Sequence, residues 1–369
     1  MKNNEFCRFF RNGLSYKNNT YNFTASPCCY YQYVNELDPD KNLAEQLNTF
    51  RSGWQNDQIL SSCQQCINLE NSGIPSFRQA SFDTCEGSTD GIEFLTVAVN
   101  KQCNLACASC DSGSSSFWHQ ENTRNNIKEP ERIIQLHKED KQGQVTERFI
   151  ELLSQQDLSN LKYLKFGGGE PLMSSIHTRI IDLVPSPQNV ILHYTSNFSI
   201  MPSDLAMKSW KKFKLVKWVA SVDGVENQFE ILRWPYQWNK FEKFCVQALN
   251  VVPDNVMFGV EHTVNPLNVF YYDRFEQWFK QNFSHNRYGD QSDLNLHVCQ
   301  NKLGLEQTPI SLRKKITEKY GNNHPITLML DQTPQSNSYK TLVNHMNMLD
   351  QQRGTNWRTT FKEVENYFK

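Results

Sequence analysis

From Glu93 to Val298 the chain repeats one pattern, a short run of β-branched and aromatic residues followed by a segment of helix length. Strands are predicted at Glu93–Val99, Lys162–Phe166, Val190–Tyr194, Val216–Ser221 and Val256–His262, with a sixth at Leu294–Val298. Helices are expected between them at Val145–Gln155, Ser175–Leu183, Pro202–Lys212, Gln237–Asn250 and Asp273–Asn282. Strands joined by such crossovers pair in parallel, because a hairpin turn cannot return the chain to the same end of the sheet. Five or six βα units fall short of the eight that close a full barrel, so the expected fold is α/β, a partial (β/α)6 barrel.

Before Asp90 the texture changes. Regular apolar period is scarce, Asn, Ser and Gln abound, and most of the cysteines lie here. Three regions are expected: a cysteine-rich, metal-held module over 1–89, the partial barrel over 90–300, and a helical extension over 301–369. The polar stretch from Gln120 to Gln144 reads as a surface insertion between the first strand and its helix, and Gln332–Ser338 as a linker-like break.

The 38 basic residues are balanced by 39 acidic ones, so no net field draws the protein onto nucleic acid or an anionic membrane. The start lacks the long apolar region of a secretory signal, and no later run approaches the roughly 20 apolar residues needed to span a bilayer. A cytoplasmic protein without a membrane partner is expected. In that reducing compartment grouped thiols serve as metal ligands or nucleophiles rather than disulfides. Nine of the eleven cysteines lie at or before Cys110, which leaves Cys245 and Cys299 as ordinary buried thiols. Two metal sites are the natural expectation.

The first predicted strand runs directly into Asn100-Lys-Gln-Cys103-Asn-Leu-Ala-Cys107-Ala-Ser-Cys110. The three cysteines therefore sit on a loop leaving the C-terminal end of a strand, the edge where α/β folds collect function. Three thiolates on one loop can each bind one iron of a [4Fe–4S] cube and leave the fourth iron open. Zinc sites more often present Cys-x2-Cys pairs with a fourth ligand. One βα unit later comes Phe166-Gly167-Gly168-Gly169-Glu170-Pro171. Glycines let backbone approach a ligand closely, and a carboxylate fixed by a following proline can accept from an ammonium group.

The Cys-x3-Cys-x2-Cys spacing after a strand resembles the signature of the radical S-adenosylmethionine (SAM) superfamily. The resemblance implies that Cys103, Cys107 and Cys110 hold the catalytic cluster, and that Gly168, Gly169, Glu170 and Pro171 form the turn binding the SAM amino group. It also implies contacts to SAM ribose and carboxylate from Ser196 and Asn197 after the third strand and from Ser221 and Asp223 after the fourth. Many members carry a bulky residue before the third cysteine, where this chain has Ser109. Arg233, beside Trp234, could face the pocket, but an arginine next to a tryptophan is as often surface packing, and it stays outside the candidate site. His119, His177, His193 and His262 are isolated in sequence, and none marks a general base.

Cys7, Cys28 and the pair Cys63-Gln-Gln-Cys66, with Trp54 before the pair and Gly73 and Arg78 after it, resemble the auxiliary-cluster module called SPASM or, in shorter form, twitch. In this chain it precedes the barrel, an order similar to a group of twitch-containing radical SAM proteins of bacteria and their phages, where the location would be the host cytoplasm. Leu349-Asp-Gln-Gln-Arg353-Gly-Thr-Asn356 is similar to that group as well. Cys7, Cys28, Cys63 and Cys66 are the expected ligands of a second iron–sulfur cluster, with Cys29 and Cys85 as substitutes. Four thiols including a Cys-x2-Cys pair would satisfy zinc equally well.

The resemblance implies reductive cleavage of SAM at the cluster, a 5′-deoxyadenosyl radical, and hydrogen abstraction from a substrate. An electron donor such as flavodoxin or ferredoxin is implied, and a peptide or protein is the first choice of substrate. A nucleotide, tRNA or small metabolite is the alternative, and a non-catalytic zinc-binding interaction protein is the rival from another class.

Overall fold

The computed structural model describes residues 7–19, 22–28, 35–36, 63–71, 76–85, 91–283, 293–335 and 338–369. Its centre is one mixed sheet. The strands are β1 (Gly13–Asn19), β2 (Asn22–Ser26), β3 (Asn35–Glu36), β4 (Phe94–Ala98), β5 (Tyr163–Phe166), β6 (Ile191–Ser196), β7 (Leu215–Ser221), β8 (Val256–Val264) and β9 (Asp293–Val298). They lie in the order β3-β2-β1-β4-β5-β6-β7-β8-β9. Each neighbouring pair from β4 to β9 is parallel, and β1 joins β4 in parallel as well. β2 runs antiparallel to β1, and β3 to β2.

The six expected strands are β4 to β9, each within a few residues of its predicted bounds. Helices Gln144–Ser154, Ile176–Ile181, Asp204–Trp210, Trp238–Val251 and Tyr272–Asn282 fill the crossovers where expected, and Glu226–Leu232 adds a short one before the fourth. The stretch read as a surface insertion forms helices Ser116–Arg124 and Glu131–Lys141, which bury Trp118, Leu136, His137 and Asp140. Of the first 89 residues, those described contribute β1 to β3 to the same sheet. These strands are polar and carry little apolar alternation, so periodicity did not reveal them. Beyond β9 come helices Ile310–Tyr320, Pro325–Gln332, Lys340–Arg353 and Trp357–Thr360. Among the described residues, no helix is long and apolar enough to cross a membrane.

Alternation along the parallel strands separates two faces. Leu164, Phe166, Leu192, Tyr194, Val216, Trp218, Phe258 and Val260 are buried in the continuous core with the crossover helices. The opposite face carries Lys165, His193, Thr195, Lys217 and Glu261. Lys165 on β5 and Glu261 on β8 form an ion pair at 3.1 Å although two strands lie between them. Flat strands three places apart would be separated by ~14 Å, with side chains standing perpendicular to the sheet. The sheet therefore curves toward this polar face, which is its concave side.

Trp218, fully buried, packs against Phe198, Trp210, Phe244 and Phe258 with ring centroids 4.4 to 5.9 Å away. Its indole N–H has no acceptor among the described residues. Trp218→Ala should cost about 3–5 kcal/mol, read as a lower urea midpoint at unchanged slope. Trp218→Phe should cost clearly less, because it keeps most of the ring volume and deletes an orphaned donor.

Candidate active site at the C-terminal edge of the sheet

β4 ends at Ala98, and the chain then forms the loop bearing Cys103, Cys107 and Cys110. The loop has no regular structure, so its polar backbone groups must find partners elsewhere. Ser116 Oγ accepts from the Cys103 N–H and donates to the Cys103 carbonyl, both at 3.1 Å. Trp118 Nε1 donates to the Cys107 carbonyl at 2.9 Å. The Ala106 and Ala108 N–H groups donate to the carbonyls of Trp234 and Leu232 at 2.8 and 2.9 Å. From the far end of the chain, Arg353 Nη2 donates to the Ala106 carbonyl and His345 Nε2 to the Ala108 carbonyl, each at 2.9 Å.

The glycine-rich turn leaves β5 and lies directly on the lead-in to this loop. Gly169 N–H donates to the Asn100 carbonyl at 3.1 Å and Glu170 N–H to the Gln102 carbonyl at 2.6 Å. Gly168 has φ +103°, and a Cβ there would lie 2.8 Å from the Asn100 oxygen. A Cβ on Gly169 would lie 2.3 Å from the Gln102 oxygen. Both contacts are too close for any side chain, which explains why glycine occupies these two positions.

Glu170 is fully buried, and its carboxylate ties the turn to the end of β6. It accepts from Ser196 Oγ at 3.0 and 3.2 Å, from the Asn197 N–H at 2.7 Å and from the Leu172 N–H at 3.2 Å. Pro171 opens the short helical turn that this carboxylate caps. Asn197 Nδ2 donates to Asn104 Oδ1 at 2.9 Å and lies 3.9 Å from Cys103 Sγ. At the end of β7, Ser221 is buried, and Asp223 accepts from the Thr263 N–H at 2.9 Å and pairs with Arg233 Nε at 2.7 Å. Glu170, Ser196, Asn197 and the cysteine loop thus share one edge, with Asp223 joined to it through Arg233.

Arg233, which the sequence leaves open between pocket and surface, is largely buried, and its Nη1 lies 3.8 Å from Cys107 Sγ. The available signal was an arginine set among Ile231, Leu232 and Trp234. Arg353 and Asn104 were missed as well, since their roles depend on contacts made far along the chain. His177 and His262 are core residues: His177 Nδ1 meets the Tyr194 hydroxyl at 2.9 Å, and His262 stacks on Phe275. His119 pairs with Glu129.

Burial, reinforced by Cys107, pushes the Cys103 and Cys110 thiols up to about 12. Burial raises Cys107 too, against the pull of Arg233. These thiols keep their protons until a metal displaces them. Among the described residues, no group of three or more His, Cys, Asp or Glu is arranged to hold a single metal ion. Three protonatable soft donors on a well-anchored loop fit the cluster.

The N-terminal cysteines gather at the opposite end of the sheet, near the start of β4. Cys7, Cys28 and Cys85 share a buried cluster with Phe9, Phe10 and Phe94. Burial, with a smaller contribution from nearby Cys66, raises the Cys7 thiol to about 11. Cys85, held in reserve by the sequence reading, thus joins Cys7, Cys28 and Cys66, while Cys63 precedes the helix that carries Cys66. Cys29, Trp54 and Gly73 lie outside the described residues.

Burial lifts the Glu170 carboxyl to about 7, against the N–H donors of Asn197 and Leu172 and the Ser196 hydroxyl. The native chain therefore holds this proton over a range where the unfolded chain has lost it. The Glu170 contribution to stability falls as pH rises from about 4.5 to about 7, by about 3 kcal/mol in all, and then levels off. Glu170→Gln should remove that component, so the difference in urea midpoint between the two proteins should change across this window. A constant difference would contradict the assignment.

No family model matches the chain. No curated protein matches it. Among solved structures it is similar to hexahistidine-tagged anSMEcpe with bound AdoMet, at 14% identity over 64% of this chain and 58% of that one, with a TM-score of 0.39. It is also similar to native anSMEcpe with bound AdoMet and Cp18Cys peptide, at 14% identity over 64% of this chain and 60% of that one, again with a TM-score of 0.39. The structure of TYW1 with a lysine-pyruvate adduct bound is similar at 12% identity over 66% of this chain and 75% of that one, with a TM-score of 0.30. This chain spans about three-fifths of the length of the anSMEcpe chains.

Proposed function

We propose that this protein is a radical SAM enzyme built on a partial (β/α)6 barrel. The observation that carries the reading is the backbone contact between the Cys103–Cys110 loop and the Gly167–Pro171 turn. Two motifs predicted independently, and separated in sequence by a whole βα unit, lie on each other at the C-terminal edge of a parallel sheet. Cys103, Cys107 and Cys110 would hold a [4Fe–4S] cluster, and Gly168, Gly169, Ser196, Asn197, Ser221 and Asp223 would surround SAM. When bound, these groups supply a 5′-deoxyadenosyl radical able to take hydrogen from a substrate carbon.

The chain's own residues do the remaining work. Glu170 uses its acceptors within the protein and so fixes the turn, leaving the turn's backbone to meet the SAM amino group. Arg233 and Asn197 aim N–H groups at the sulfurs of Cys107 and Cys103, where they would offset thiolate charge. Trp118, Arg353 and His345 hold the loop and exclude water from behind it. In this reading Cys7, Cys28, Cys66 and either Cys63 or Cys85 carry an auxiliary iron–sulfur cluster of twitch or SPASM type. The enzyme works in the cytoplasm with a flavodoxin- or ferredoxin-like electron donor, and its substrate is a peptide or protein.

The test is iron and acid-labile sulfide per chain, with reductant-dependent 5′-deoxyadenosine formation, on protein reconstituted without oxygen. Replacing Cys103, Cys107 and Cys110 together with alanine should abolish 5′-deoxyadenosine and lower iron from about eight to about four per chain. Undiminished SAM cleavage in that variant would sink the reading. Four irons falling to none, with zinc retained, would keep the radical enzyme and make the N-terminal site a zinc site.

A further inference from the structure

On the concave face below the cofactor edge, polar side chains from β5, β6, β8 and β9 converge on Glu261. Its Oε1 accepts from Lys165 Nζ at 3.1 Å and from Thr195 Oγ1 at 3.2 Å. The same oxygen lies 3.7 Å from Nε2 of both His193 and His297. Tyr163 Oη, 2.6 Å from His193 Nδ1, fixes the orientation of that ring. Every one of these contacts goes to Oε1. Oε2 has no hydrogen-bond partner among the described residues, and the side chain keeps 11% of its surface open.

Burial alone would raise the Glu261 carboxyl, but Lys165, with His193 and His297, holds it well below the usual carboxylate range. A general base works best with a pKa near the working pH, so this carboxylate is poorly suited to take a proton. Ionised, it can only accept hydrogen bonds. The ligand of Oε2 is therefore a donor. Lys165 offsets the charge of Glu261, so an ammonium group would meet the lysine's repulsion and an anion would meet the carboxylate's. A neutral N–H meets neither.

We propose that Glu261 Oε2 receives an amide N–H of the substrate, from a peptide backbone or a carboxamide, on the rung of the sheet that Glu261 shares with Ser221. This assignment deepens the proposed function and rests on its reading of the strand ends as the cofactor edge. Glu261 is then a binding residue, with Lys165, Thr195 and the two histidines positioning it.

The experiment uses the full chain labelled with 15N-histidine and follows the His193 and His297 ring nitrogens by NMR. The probes are N-acetylglycinamide, methylammonium chloride and sodium acetate at matched ionic strength. N-acetylglycinamide should shift these signals saturably, and Glu261→Ala should abolish the response. Removing Glu261 alone deletes one charge of a close ion pair, so Lys165→Met/Glu261→Leu, which deletes both charges together, serves as the second variant and should also be silent. A response to acetate or methylammonium but not to the amide overturns the proposal. So does an amide response that survives in the double variant, or none in the wild type. SAM cleavage measured on the same samples keeps the two failures apart. An amide response without cleavage sinks only the enzymatic reading, and cleavage without an amide response sinks only this assignment.

Discussion

The close approach of Gly168 and Gly169 to the backbone at Asn100–Gln102 is the constraint on which the rest of the site depends. The loop of seventeen residues between β4 and the Ser116–Arg124 helix has no regular structure and cannot hold three sulfurs in fixed relation by itself. Here its entry is bonded to a turn that leaves the neighbouring strand, and register along β4 and β5 sets where the two meet. A side chain at either glycine would push the turn off the loop by the width of a methyl group. Glu170 then extends the same fixture to β6 through Ser196 and Asn197. Three consecutive strand ends are thereby locked into one edge before any cofactor is considered.

The exit of the loop is held from the other end of the sequence. Arg353 and His345 belong to a helix more than 230 residues beyond the carbonyls they bond. Arg353 also pairs with Glu121 at 2.6 Å and lies over the Trp118 ring. An arginine that is buried, paired and stacked loses little further entropy when it binds a carbonyl, which suits it to this task better than a flexible lysine. The helices after β9 are consequently part of the site's support. Losing them would leave the Ala106 and Ala108 carbonyls without these partners in a buried loop, a cost of the kind that reorganises backbone.

Much of this was legible in the sequence, for definite reasons. β4 to β9 were readable because strands buried on the helix-facing side concentrate β-branched and aromatic residues, and both motifs were readable because their chemistry depends on short-range spacing. β1, by contrast, reads Gly-Leu-Ser-Tyr-Lys-Asn-Asn, where only Leu14 and Tyr16 are large apolar residues, although Ser15 is buried beside them. Arg233 could not be assigned because its partners, Asp223 and Cys107, are 10 and 126 residues away, and a charged residue next to tryptophan fits pocket and surface equally well. Glu261 escaped for the same reason. One carboxylate in Val-Met-Phe-Gly-Val-Glu-His carries no signal until Lys165, 96 residues earlier, is brought against it by the curvature of the sheet.

Two buried glutamates show how surroundings divide one functional group between two tasks. Glu170 is met only by dipoles, namely two backbone N–H groups and a hydroxyl. These do not offset the loss of solvation in full, and its carboxyl rises to about 7. Glu261, buried but not fully closed from water, is met by a lysine and two imidazoles, and full charge at short range overcomes desolvation. Glu170 consequently has both oxygens engaged and acts as a fastener. Glu261 is held ionised through one oxygen while the other has no partner among the described residues. A carboxylate fixed on one side and open on the other has a hydrogen-bonding capacity that the described residues do not use, and it lies on the one face of the sheet that the core leaves polar.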